Sequence, residues 1–358
     1  MQKSDGMNYA PQGKPAPVCE KGEFIFAATH LEHGHIYGQT NGLLEAGGEL
    51  RWVFDSDPAK VDAFRAKYPG VKPARSLEEI LDDADVHLVA AAAVPSERGP
   101  LGCRVLRAGK DYFTDKTPFT SLEQLGEARE TVAATGRKYM VYYSERLHVE
   151  CAVHAGKLIA DGAIGRVVSV TGFGPHRVGD PAARPAWFYE KAKYGGILCD
   201  IGSHQIEQFL FYAGAEDATV VNASVANYRF KDFPELEDYG DANLVADNGA
   251  TNYFRVDWLT PAGLRTWGDG RTLILGTHGY IELRKYIDVA RDTTGDQLFL
   301  VNDAGEQHLS LSGQVGYPFF GQLILDSLHR TENAMTQQHA FKAAELCLIA
   351  QNLARRLE

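Results

Sequence analysis

The sequence has no paired cysteines, no long apolar run and a deficit of positive charge, and each absence removes a class of protein. Its five cysteines (Cys19, Cys103, Cys151, Cys199, Cys347) are scattered, odd in number and never spaced Cys-x-x-Cys. That leaves no metal framework and suits a reduced, cytoplasmic compartment. No apolar stretch approaches the roughly 18 residues needed to cross a bilayer, so no membrane partner is expected. With 36 Lys and Arg against 47 Asp and Glu, the formal charge is -11. Phosphate backbones are held by clustered cations, so no nucleic-acid partner is expected either. Residues 1–22, MQKSDGMNYAPQGKPAPVCEKG, lack the apolar core of a secretion signal. Polar and rich in Pro and Gly, they read as a flexible N-terminal arm.

The chain of 358 residues exceeds the usual size of one domain, so two are expected. From residue 23 the pattern alternates. An apolar strand over 24–28 precedes a helix to about 46, and LRWVF over 50–54 is a second strand. Asp57-Pro58 reads as an N-cap followed by Pro at the first helical position, and Ser76-x-x-Glu79 as a capping box. DVHLVAAAAV over 85–94 is a fully apolar strand, followed by a helix over about 100–108 and the short strand DYFT. Ser121-x-x-Gln124 caps the next helix, and KYMVYY over 138–143 completes the series. Such alternation implies a Rossmann-type, doubly wound parallel sheet over 23–144, in the α/β class. Over 145–358 several extended segments follow one another without helices between them, which implies an α+β domain with a mostly antiparallel sheet. Two closing helices are expected over about 318–329 and 334–357.

The turn after the first strand lacks Gly-x-Gly-x-x-Gly and reads Ala28-Thr29-His30-Leu31-Glu32-His33-Gly34-His35, with Gly38 one turn on. A phosphate-binding turn needs small residues where backbone N–H groups approach the pyrophosphate at a helix N-terminus. Ala28, Thr29, His33, Gly34 and His35 are therefore the cofactor-binding candidates, against the plainer reading of a tight structural turn. A histidine cluster in a loop more often faces solvent or substrate than a metal, so no metal site is expected. Asp55 ends the second strand about 20 residues on, where a carboxylate accepts from adenosine ribose hydroxyls and repels a 2'-phosphate. This favours NAD over NADP. Lys116 follows a strand directly and projects at the carboxyl edge of the sheet, where ligands bind in open α/β folds. In GGILCDIGSHQIEQFL, Asp200 and His204 are four residues apart and share a face if the helix reaches that far, although a cap and an ordinary polar helix residue would look the same.

Taken together, AGKDYFTDKTPFT, DGAIGRVVSVTGFG, GGILCDIGSHQIEQ and TNYFRVDWLTP make the chain resemble the Gfo/Idh/MocA family (glucose-fructose oxidoreductase, inositol dehydrogenase, rhizopine catabolism) from about residue 24 onward. The resemblance implies a dinucleotide-binding domain followed by an open-faced sheet domain for substrate binding and oligomerisation, as a homodimer or homotetramer. It implies oxidation or reduction of a small sugar or cyclic polyol with a nicotinamide. By motif match Lys116 is implied to lie near the nicotinamide, Asp200 to contact substrate and His204 to be the acid/base. Asp115-Lys116-Thr117-Pro118 replaces the family's usual Glu-Lys-Pro.

The side chains suit that chemistry on their own terms. Removing a hydroxyl proton as hydride leaves carbon needs a base titrating near neutrality, which His204 supplies. Lys116 would stabilise negative charge on the same oxygen and Asp200 would orient His204 or a neighbouring hydroxyl. The loop HRVGDPAARPAWFYEKAKYGG over 176–196 is the expected substrate reader. Trp187, Phe188 and Tyr189 can cover a sugar ring, while His176, Arg177, Arg184 and also Arg146 could read hydroxyls or an anion. An aromatic plug with surface arginines is the plainer alternative. The leading expectation is an NAD-dependent oxidoreductase of a ring hydroxyl. The alternative is a redox-neutral NAD-dependent glycosidase, and a non-catalytic nucleotide sensor is a third reading that the joint presence of Lys116, Asp200 and His204 opposes.

Overall fold

The computed structural model describes residues 6–289, 291 and 294–358. These form two compact units, one of Met7–Tyr142 with Tyr317–Phe341, the other of Tyr143–Gly316 with Lys342–Glu358 and Gly6.

The first unit carries six parallel strands, β1 (Ile25–Thr29), β2 (Glu49–Phe54), β3 (Lys72–Pro73), β4 (Val86–Ala91), β5 (Asp111–Asp115) and β6 (Tyr139–Tyr142), in the order β3-β2-β1-β4-β5-β6. β1, β5 and β6 are buried at every position, as a parallel strand covered on both faces must be. The helices between the strands are α1 (His35–Glu45), α2 (Pro58–Lys67), α3 (Leu77–Asp82), α4 (Pro95–Arg107) and α5 (Leu122–Thr135). Asp57 accepts from the Ala59 N–H, Ser76 from Glu79 and Ser121 from Gln124, so the three expected caps form. Strand order reverses between β1 and β4, and ligands of open α/β sheets bind outside the carboxyl ends at such a reversal.

Three sequence expectations are corrected here. α4 begins at Pro95 and runs through Pro100, rather than starting there. Pro100 cannot bond the Ser96 carbonyl, and the Gln124 side-chain amide donates to that oxygen instead at 2.9 Å, which offsets the loss. Residues 7–22, expected as a flexible arm, lie along α1. The Ala16 and Val18 N–H groups donate to the carbonyls of Glu45 and Ala46 at 2.8 and 2.9 Å, and Asn41 Nδ2 donates to the Pro11 carbonyl at 3.3 Å. The last carbonyls of a helix have no partner within it, and this segment supplies donors for them. The expectation for residues 1–5 lies outside the described residues. The segment 317–341, expected in the second domain, belongs to the first unit, where Phe319 and Phe320 pack on Phe113 of β5.

The second unit is built on a nine-stranded sheet. Its strands are β7 (Val167–Pro175), β8 (Ala218–Ala226), β9 (Tyr239–Ala246), β10 (Thr251–Asp257), β11 (Arg271–Gly276), β12 (Gly279–Arg284), β13 (Gln297–Asn302), β14 (Gly305–Ser310) and β15 (Arg355–Arg356). Their order is β14-β13-β12-β11-β7-β10-β9-β8-β15, antiparallel except at β7/β10 and β8/β15. The remaining helices are α6 (Ser144–Leu147), α7 (Glu150–Ala160), α8 (Lys191–Tyr194), α9 (Ile197–Asp200), α10 (Gly202–Ala213), α11 (Pro318–His329) and α12 (Gln337–Leu353). The last stops short of the expected residue 357 because Arg355 and Arg356 pair with β8. Burial alternates along β7, β9 and β10, so one face of the sheet is covered and the other open. α10 lies on the covered face against β7. A Cβ on Gly172 would overlap the Gln205 side chain, so the glycine lets α10 approach and brings the neighbouring His204 down with it.

Candidate functional site

In the first unit the turn between β1 and α1 is tied to its flanking strands. His30, at φ 52, donates its N–H to the Phe54 carbonyl and accepts at its own carbonyl from Ala92, whose carbonyl accepts in turn from His33. Asp55 closes the same corner, Oδ2 accepting from the Leu31 N–H at 2.6 Å and Oδ1 from the Asp57 N–H at 2.8 Å. A carboxylate has about four acceptor sites, so Asp55 keeps lone pairs for further donors. Ala28 and Thr29, the first two cofactor-binding candidates, end β1 just before the turn. They are fully buried strand residues paired with Val53 and Phe54 on one side and Ala90 and Ala91 on the other. Gly34, at the helix N-terminus, has the Met7 carbonyl against it, and a Cβ there would overlap that oxygen.

The histidines differ most from expectation. His33 and His35 turn inward to Asp115, the last residue of β5. His35 Nδ1 lies 2.9 Å from Oδ1, His33 Nδ1 3.5 Å from Oδ2, and the buried Arg98 guanidinium of α4 3.4 Å from Oδ2. Burial would raise the Asp115 pKa, but His35, Arg98 and His33 hold it well below the carboxylate range. One ring nitrogen each of His33 and His35 and one carboxylate oxygen of Asp115 lie within 4.8 Å of one another. The Arg98 cation already neutralises the same carboxylate. Arg98 also donates to the carbonyls of Lys116 and Thr117, so the β5 carboxylate and its guanidinium partner fix the turn that carries Lys116.

In the second unit His204 is 2% exposed. Asp200 and His204 do not sit on one continuous helix. α9 ends at Asp200, α10 starts at Gly202, and the His204 N–H bonds three residues back to Ile201. A carboxylate that sequence reasoning missed stands near His204. Glu145, in α6, is buried and accepts from Lys285 Nζ at 2.8 Å and from Gln205 Nε2 at 3.0 Å. Burial pushes its pKa up, but Lys285, then His204 and His176, outweigh that and bring it to about 2. Lys285 also donates to Gln208 Oε1 at 2.7 Å, and Gln208 Nε2 donates to the His204 carbonyl at 2.7 Å. A buried polar chain thus holds His204 from below. Its sequence signal was two adjacent charges, Glu145-Arg146, shortly after an apolar strand.

The arginines expected to read substrate are engaged elsewhere. Arg146 forms a buried pair with Glu207, Nε lying 2.7 Å from Oε1, and stacks on Phe211. Arg177 Nη2 donates to the carbonyls of Pro261, Leu264 and Thr266. Arg184 Nε and Nη2 donate to the carbonyls of Val178 and Arg177, with the guanidinium over Phe188 and Trp258. A loop without regular structure has unpaired carbonyls to satisfy, and an arginine with five donors satisfies them best. Arg184→Ala is therefore expected to loosen the 176–190 loop and lower stability by about 1–3 kcal/mol, since it leaves buried carbonyls unmet. Thermal unfolding of the variant measures it, and an unchanged midpoint would contradict this scaffolding role. His176 is buried between Trp258 and Trp267, at ring distances of 5.4 and 4.4 Å. Trp187 is half-buried, with Nε1 lacking a protein partner among the described residues.

On the open face of the sheet, Phe173, Pro175, Arg255, Leu259 and Arg271 help line a cleft of about 610 Å³. None of the sequence-predicted site residues lines it.

The comparisons agree with this architecture. Residues 25–143 match the family described as an oxidoreductase family with an NAD-binding Rossmann fold, and residues 153–282 match the GFO/IDH/MocA C-terminal domain. The chain belongs to the Gfo/Idh/MocA family. A protein of known structure from Erwinia carotovora atroseptica SCRI1043 is 50% identical with a TM-score of 0.90, covering 94% of this chain and all of that one. The scyllo-inositol 2-dehydrogenase (NAD(+)) of Bacillus subtilis is 28% identical over 57% of this chain and 56% of its own length. The chain spans about half the length of the curated relatives it matches. A levoglucosan dehydrogenase in complex with NADH and levoglucosan shares the fold of this Gfo/Idh/MocA protein, with a TM-score of 0.72 at 18% identity over 92% of this chain and 95% of that one. The first unit of this family member is thus an NAD-binding Rossmann unit. No helix among the described residues is long and apolar enough to cross a membrane.

Proposed function

We propose that this Gfo/Idh/MocA protein is an NAD-dependent oxidoreductase that converts a ring hydroxyl of a sugar, glycoside or cyclic polyol to a ketone, or the reverse. The observation that carries the proposal is the buried His204, held from below by Gln208 and Lys285 and facing the charge of Glu145. A bare structural histidine does not need a buried carboxylate and ammonium arranged around it. The names of the inositol and levoglucosan dehydrogenases support the substrate class.

The turn between β1 and α1 would hold the dinucleotide by its pyrophosphate, and the bound cofactor would supply a hydride acceptor or donor. The protein's own residues divide the remaining work. His204 takes the hydroxyl proton on oxidation and returns it on reduction. Lys116, fixed by Arg98 and Asp115, presents its charge to the developing oxyanion, and Asp200 holds a neighbouring hydroxyl. Asp55 and the α1 N-terminus hold the dinucleotide. All five cysteines are free thiols, which suits a cytoplasmic enzyme. The outward Leu273, Leu275 and Tyr280 of the open sheet suit burial against a second copy.

Proton NMR of a panel of sugars, glycosides and cyclic polyols incubated with enzyme and NAD tests the reading. A ketone formed in proportion to NADH is expected; free sugar and aglycone without NADH would replace it with the glycosidase reading. Asp55→Ala is expected to weaken NAD binding by about tenfold or more, the worth of a charge-assisted hydrogen bond, and NADP binding by less. Titration of both cofactors measures it, and an equal loss for the two would deny Asp55 its discriminating role.

A further inference from the structure

His33 does two things that pull against each other. Its Nδ1 accepts a hydrogen bond from the His35 N–H at 3.2 Å, so the ring carries its proton on Nε2. The same Nδ1 lies 3.5 Å from Asp115 Oδ2, a contact that becomes attractive only when Nδ1 is protonated. The side chain is 11% exposed, and its ring is 4.2 Å from that of His35. Four titratable or charged groups face it, His35 from α1, Asp115 from β5, Lys116 from the turn after β5 and Arg98 from α4. Burial, then His35, Lys116 and Arg98, disfavour the imidazolium, while Asp115 favours it, and the neutral ring wins.

The His35 N–H belongs to the first turn of α1. Donors at that place in a Rossmann unit are the ones a pyrophosphate takes. Here the amide is already occupied by the His33 lone pair. We propose that dinucleotide binding at this turn is coupled to the uptake of one proton by His33, which releases the His35 N–H to the phosphate and lets Nδ1–H donate to Asp115. The proton comes from the medium and no other bond changes. The imidazolium supplies the phosphates with positive charge at a turn that lacks the usual glycines. The proposal rests on the reading that this turn receives the pyrophosphate.

Uptake on binding makes affinity fall as pH rises, by up to about tenfold per pH unit between the proton affinities of the free and bound states. The test is calorimetry of NADH binding to the full chain near pH 6.5, in two phosphate-free buffers of different ionisation enthalpy, with dissociation constants measured from pH 6 to 8. The native protein is expected to take up a substantial fraction of a proton per site. His33→Asn, whose side-chain oxygen can still accept from His35 but cannot be protonated, is expected to take up none and to bind independently of pH. His33→Gln serves if the asparagine variant folds poorly. Binding without proton uptake in the native protein, or uptake that survives in the variant, overturns the proposal. Failure of NADH to bind, or binding that Asp55→Ala leaves unaltered, would instead remove the nucleotide site at this turn and the proposal with it.

Discussion

His204→Ala is expected to lower kcat by about 10²–10⁴-fold, the usual worth of a positioned acid/base, while the dissociation constant of NADH stays within about twofold of the native value. The split follows from where the residue sits. His204 is a residue of α10 in the second unit, whereas the nucleotide turn, Asp55 and Lys116 belong to the first. Single-turnover kinetics give the chemical step and fluorescence titration gives cofactor affinity. Loss of affinity with an intact chemical step would take the acid/base role away from His204.

Lys285→Met is expected to produce the largest loss of stability, about 3–5 kcal/mol, because it strands the Glu145 charge where water cannot reach it. Lys285 is fully buried and Glu145 2% exposed, so solvent compensates for neither. For a domain of this size the loss corresponds to a fall in melting temperature of about 10 °C. Pairing it with Glu145→Gln is expected to restore part of the stability, since the double variant buries no uncompensated charge. Two single variants whose losses add would show the pair to be uncoupled. The pH dependence has a definite sign. Glu145 in the folded state is depressed to about 2, so its contribution is complete above the ordinary glutamate value and is lost as pH falls toward 2.

The parts that sequence reasoning recovered are local in origin. Asp57, Ser76 and Ser121 cap helices because their partners lie two or three residues away. The alternation of apolar strands with capped helices leads to a doubly wound sheet, and period-two burial leads to the sheet of the second unit. The place of Asp55 just after β2 was legible because the end of a second strand is a fixed distance from the first turn. The contacts that the sequence did not announce share the opposite property. His35 meets Asp115 across 80 positions, Arg146 meets Glu207 across 61, and Lys285 meets Glu145 across 140. No local pattern announces such a partner, and an arginine that satisfies loop carbonyls has the same sequence signature as one that reads a substrate.

The sequence by itself determined the alternation of strands and helices and the family, because periodicity, capping and motif spacing act over a few residues. Only the tertiary structure decided that His33 and His35 close on Asp115, that Glu145 and Lys285 stand near His204, and that the arginines of the 176–196 loop support backbone. Those outcomes depend on which polar groups burial forces together, since a charge removed from water must find a partner wherever the fold places one.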